Sequence, residues 1–75
     1  MNIKQIVDAK GLACPMPIVR TKKAMDELQS GDILEVQATD KGSQTDITAW
    51  TKSKGHKLME SKEESGVFTF RIQKG

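Results

Sequence analysis

One residue in this chain stands out for its chemistry. Cys14 is the only cysteine among 75 residues, and it sits inside GLACPMPIVRTKKAM, residues 11–25. A single thiol forms no internal disulfide and holds no structural zinc by itself. His56 is the only histidine, and no motif links it to Cys14, so a Cys/His catalytic pair has no support in the spacing. No metal site and no bound cofactor are expected. A lone thiol can still act as a nucleophile or carry a group. It can also be simply a small buried hydrophobe. The residues around it weigh between these readings.

Pro15 and Pro17 follow the cysteine, and a helical pattern starts there. Proline is tolerated in the first turn because the N–H groups of that turn have no intrahelical acceptor. Pro17 disfavours the α region for Met16, so the pattern starts the helix at Pro17 with Met16 as its cap. Cys14 then lies just before the positive end of a helix. That placement stabilises a thiolate and lowers the pKa from its ordinary value near about 8.5. Gly11 allows a sharp turn ahead of it, and the prolines stiffen the approach. An exposed, rigidly presented thiol is the expectation. Lys10, Arg20 and Lys23 are candidate anion-stabilising or docking cations. Met16 and Val19 fall on the polar side of the helix and are candidate docking residues.

The elements that must hold this loop follow from periodicity. IKQIVDA (3–9) reads as a strand. Residues 17–29 read as a helix whose inward stripe is Ile18, Thr21, Ala24, Met25 and Leu28, ending at Ser30-Gly31. DILEVQAT (32–39) alternates, with Leu34, Val36 and Ala38 on a buried face and Glu35 and Gln37 on a wet one. Ser43 and Asp46 resemble a capping box and start a second helix, which ends at Lys54-Gly55 with Ile47 and Trp50 facing inward. Residues 57–63 and 67–73 read as a hairpin around Ser65-Gly66, with Phe68, Phe70 and Ile72 facing the core and a charged edge strand before them. His56 is expected in a solvated turn, and Lys52, Lys54 and Lys57 on a solvated face.

The order is β-α-β-α-β-β. The fold class is α+β, a two-layer α/β sandwich with a mixed four-stranded sheet and both helices on one face. The βαβ units favour right-handed crossovers and parallel neighbours. Seventy-five residues make a single domain, 1–75, with one modest core and little room for an enclosed active site. A net charge of +2 does not call for nucleic acid. No apolar run approaches the ~20 residues that span a bilayer. The first ten residues, MNIKQIVDAK, have no signal-peptide character, so the cytoplasm is the expected location. A monomer that forms transient complexes is also expected.

The stretch DAKGLACPMPIVRTKKAM resembles the signature of the TusA/SirA/YedF family of small sulfur-carrier proteins. Asp8, Gly11, Leu12, Cys14, Pro15, Pro17 and Lys23-Ala24 carry the likeness, and Cys-Pro-x-Pro at the start of the first helix is that family's motif. The resemblance implies sulfur relay. Cys14 would accept sulfane sulfur from a cysteine desulfurase or a rhodanese, hold it as a persulfide and hand it to a downstream acceptor protein. In some members the sulfur goes to 2-thiolation of the tRNA wobble uridine. The chain would be a sulfurtransferase-like carrier rather than a stand-alone enzyme, with no direct nucleic-acid contact expected. Two features depart from the pattern. Met16 stands where some members have an acidic residue, and Trp50-Thr51 replaces a second cysteine. The alternatives are an RNA-binding module, by likeness of architecture to the C-terminal domain of translation initiation factor three, and a redox-sensing regulatory module.

Overall fold

The computed structural model describes residues 3–13 and 15–75. Its elements are β1 (Ile3–Ala9), α1 (Met16–Asp26), β2 (Ile33–Ala38), α2 (Gly42–Ser53), β3 (Lys57–Glu64) and β4 (Val67–Gln73). The type and order of all six match the periodicity reading. The four strands form one mixed sheet, and the helices cover one face of it.

The alternation in each strand builds the core. Val7 and Ala9 from β1, Leu34, Val36 and Ala38 from β2, and Phe68, Phe70 and Ile72 from β4 all face the helices and are buried. Ala24, Met25 and Leu28 from the first helical segment and Ile47 from α2 close over them. Thr21 and Thr51 are buried on the same stripes. Each threonine donates its hydroxyl to the carbonyl four residues earlier, Pro17 and Ile47 respectively, at 2.7 Å. A hydroxyl bonded within its own helix turn can enter an apolar core without a stranded donor.

The boundaries differ in places. Pro15, not Met16, occupies the cap position of α1, and Met16 is already helical. The helix also ends earlier than its apolar pattern, at Asp26, with Glu27 at the C-cap. Leu28 still reaches the core from the turn that follows, which is why the stripe seemed to run on. In α2, Ser43 is inside the helix and does not cap it. Its hydroxyl donates to the Asp40 carbonyl at 2.6 Å, and Lys41, at the cap position, makes no side-chain cap bond. The hairpin turn is as expected: Ser65 and Gly66 have φ of 54° and 81°, the two positive values of a type I′ turn.

Strand order departs from simple parallel neighbours. It is β1-β2-β4-β3. β1 and β2 are parallel, but β4 lies antiparallel between β2 and β3. The second crossover therefore skips a strand, and the last strand fills the gap. This makes β2 a central strand and changes its outer face. Glu35 was expected in solvent, yet it is only 7 % exposed. It accepts from Arg71 Nε at 3.0 Å and from Gln37 Nε2 at 2.8 Å, and Arg71 also reaches Glu60 at 2.9 Å. The Gln37 amide, and then the Arg71 guanidinium, hold the Glu35 carboxyl below the usual carboxylate range against the opposing effect of burial.

Candidate functional site

The candidate site is the turn between β1 and α1. Cys14 itself lies outside the described residues, so the site is built from what brackets it. Parallel pairing of β1 with β2 sets Ala9 beside Ala38 at one end of the sheet. Both chains leave the sheet at that end, and Thr39 comes level with the turn. Its Oγ1 accepts the Gly11 N–H at 2.9 Å. Gly11 has a φ of 81°, a left-handed value that glycine adopts without a Cβ penalty. Asp8 Oδ1 accepts the Lys10 N–H at 3.1 Å, and the Ala9 carbonyl accepts the Leu12 N–H at 3.2 Å. Leu12 packs against the core. On the far side, the Ala13 carbonyl accepts the Met16 N–H at 2.9 Å and the Pro15 carbonyl accepts the Val19 N–H at 3.0 Å. The turn is therefore tied down on both sides of the cysteine.

The predicted site residues separate into three groups. Gly11, Pro15 and Pro17 belong to the turn and helix start. Pro15 is exposed, whereas Pro17 is fully buried and anchors the first turn on the core. Met16 and Val19 are 41 % and 47 % exposed, as expected for the polar side of the helix. Lys10, Arg20 and Lys23 are all exposed, but they do not converge. Lys10 is in the turn, while Arg20 and Lys23 line a groove along β1 with Gln5, Asp8 and Glu27. Among the described residues no group of three His, Cys, Asp or Glu side chains could hold a metal ion. Among the described residues, no helix is long and apolar enough to cross a membrane.

Thr39 escaped the sequence reading. It ends an alternating strand and looks like any turn residue. The only available signal was topological: a residue just past β2 must lie beside the β1–α1 turn if the two strands are parallel. Thr39→Val should leave the Gly11 amide without its acceptor and cost about 1 kcal/mol. The measurement is amide hydrogen exchange, with selective acceleration at Gly11 expected against an unchanged core.

His56 also differs from expectation. It is half-buried, not a solvated turn residue. Its ring is tilted against Trp50 with centroids 5.2 Å apart, and its Nδ1 accepts the Gly75 N–H at 3.0 Å. Trp50 lies at the margin of the core rather than inside it. Burial, then the charges of Lys74 and Lys54, lower the His56 pKa from its ordinary 6.5. The neutral ring is thus favoured by folding. Its contribution to stability is complete above the unfolded pKa and is lost as the pH falls from there through the lower folded value. Between about pH 7.5 and 5.5 the melting temperature should fall more steeply for the native chain than for His56→Gln, as measured by circular dichroism.

Comparison with known proteins agrees with this geometry. The family described as sulfurtransferase TusA matches residues 5–74. YrkI of Bacillus subtilis, named as a candidate sulfur carrier, is 64% identical over 75 residues, covering all of both chains. The sulfur carrier protein TusA of Allochromatium vinosum is 53% identical over 73 residues, covering 97% of this chain and 96% of that one. Among solved structures, a SirA-like protein of Desulfitobacterium hafniense superposes with a TM-score of 0.84 at 29% identity, covering 95% of this chain and 97% of the other. With the family pattern spanning nearly the whole chain and the fold shared, the chain belongs to the TusA family of sulfurtransferases.

Proposed function

We propose that this chain is a sulfur carrier that works through a persulfide on Cys14. The observation that carries the reading is a Cys-Pro-x-Pro sequence placed where Pro15 caps α1 and Pro17 anchors its first turn, in a member of the TusA family. The thiolate of Cys14 attacks the outer sulfur of a donor persulfide. A new S–S bond forms to Cys14, the donor's S–S bond breaks, and the donor leaves as a thiolate. No oxidant is consumed. The positive end of the α1 dipole favours the anionic form of the nucleophile.

The remaining roles follow from the same reading. Gly11 and the prolines set the presentation of the thiol. Met16 and Val19 form an apolar contact for partners, and Lys10 supplies positive charge in the turn. Arg20 and Lys23 lie along the β1 groove and act, if at all, on a partner's surface rather than on the sulfur. The donor is a cysteine desulfurase or a rhodanese, and the acceptor is a downstream protein, with tRNA thiolation as one destination. The protein works in the cytoplasm. A surface carrier needs no enclosed substrate pocket, because its partners supply one.

The test is an intact mass after incubation with a cysteine desulfurase and cysteine. One added sulfur atom, removed by a reductant, is expected. An unchanged mass on a folded chain, with the desulfurase active, would refute the proposal.

A further inference from the structure

Thr39 stands one residue beyond the last paired position of β2, where Ala9 and Ala38 end the ladder with β1. Past that point the two chains leave the ladder. The Gly11 N–H is met there by a side chain, the Thr39 hydroxyl, at 2.9 Å. Gly11 turns the chain at that bond: its φ is 81°, and a Cβ at the position would meet nothing within 4 Å. The glycine is needed for its backbone angle and not for space.

The ties of this turn differ in reach. Asp8 to Lys10, Ala9 to Leu12 and Ala13 to Met16 each join near neighbours in sequence, so they shape the turn from within. Leu12 and Pro17 bury apolar surface, which holds the turn down without fixing its direction. The Thr39 bond is of another kind. It is directional, and it enters from the β2–α2 connection, 28 residues away in sequence. Thr39 is itself held between two fixed points. Ala38 before it is in the sheet, and the Asp40 carbonyl after it accepts the Ser43 N–H at 3.1 Å at the start of α2.

We propose that Thr39 is a positioning residue for sulfur transfer, fixing through Gly11 the direction in which the turn carries Cys14 away from the sheet. This role rests on Cys14 being the residue that carries sulfur. Thr39 acts through the turn and not on the sulfur itself. Direction matters because the donor is a protein. Its persulfide sits at one place on a docked surface, and the Cys14 thiolate must reach the outer sulfur aligned with the S–S bond that breaks. A misplaced nucleophile in such a pair loses rate steeply. A small reagent free in solution approaches from any side and does not depend on that direction. Without the Thr39 bond the turn pivots about its apolar anchors, and only a fraction of the chains present the thiol as the donor requires.

Thr39→Val tests this, because valine keeps the branched shape and loses the acceptor. The initial rate of sulfur loading from a cysteine desulfurase and cysteine, read by intact mass, should fall about two- to fivefold, as loss of one exposed hydrogen bond allows. Alkylation of Cys14 by iodoacetamide should keep the native rate. Thr39→Ser retains the hydroxyl and should load like the native chain. A loss of stability alone would leave both rates of the folded chain unchanged, so the split between protein donor and small reagent is specific to placement. If Thr39→Val does not fold by circular dichroism, Thr39→Ala takes its place. Loading of Thr39→Val at the native rate would overturn the proposal. So would an equal slowing of alkylation, which would locate the effect in the reactivity of the thiol, or a Thr39→Ser chain as slow as Thr39→Val. A native chain that takes up no sulfur would refute the carrier reading itself, and the role of Thr39 with it.

Discussion

Cys14→Ser is expected to abolish sulfur loading, reducing the added-sulfur species from the main product to background in the intact mass spectrum. The chain has no other cysteine, so no second thiol can take over. Its four methionine sulfurs are thioethers, which have no proton to lose and cannot hold a persulfide. Serine is close to cysteine in size, and its hydroxyl remains protonated at neutral pH, so no comparable nucleophile is formed. The turn should survive the change, because its ties run through Asp8, Ala9, Thr39 and the Ala13 carbonyl. The variant should therefore melt like the native chain and still occupy the donor's docking surface. A loading-deficient chain that competes with the native one for a limiting donor would separate lost chemistry from lost structure. Undiminished loading of Cys14→Ser would place the acceptor group elsewhere and refute the assignment.

Phe70→Ala should be the most destabilising single truncation. Phe70 is fully buried in β4, between Val36 of β2 and Ser61 of β3. Its ring lies 6.5 Å from that of Phe68, nearly parallel to it. Emptying a buried aromatic site costs about 3–5 kcal/mol, from lost transfer free energy and the cavity left behind. A domain of 75 residues has roughly 4–11 kcal/mol in total. The variant should thus lose a large share of its stability, and its urea midpoint should fall by at least about a quarter. Phe70→Leu keeps most of the volume and should cost about 1–2 kcal/mol. Equal midpoints for the two variants would show that this site is not closely packed. The position matters because β4 joins the β1–β2 pair, which holds the Cys14 turn, to the edge strand β3.

Much of this protein was readable before any coordinates. Helix and strand periodicities are local, and they give α1 its stripe and β4 its alternating Phe68, Phe70 and Ile72. Gly11, Pro15 and Pro17 act on their own backbone, so a short thiol-bearing turn at a helix start was legible from adjacent residues. The exposure of Met16 and Val19 followed from helical angles alone. The Ser43 cap failed because α2 already starts at Gly42, leaving Ser43 inside the helix, where its hydroxyl donates back to the Asp40 carbonyl.

What the tertiary structure decided was everything that depends on which strands are neighbours. Inserting β4 between β2 and β3 buried Glu35 against Arg71. Parallel pairing of β1 with β2 delivered Thr39 to Gly11 across 28 residues. Folding the far end of the chain back put Gly75 on His56. Leaving β1 at the margin of the sheet exposed Ile6. Strand order is set by which pairings bury the most apolar surface while satisfying backbone groups across the whole sheet. No window of adjacent residues contains that comparison, so the sequence determined the elements and the thiol's place between them, while the packed sheet decided what surrounds and opposes them.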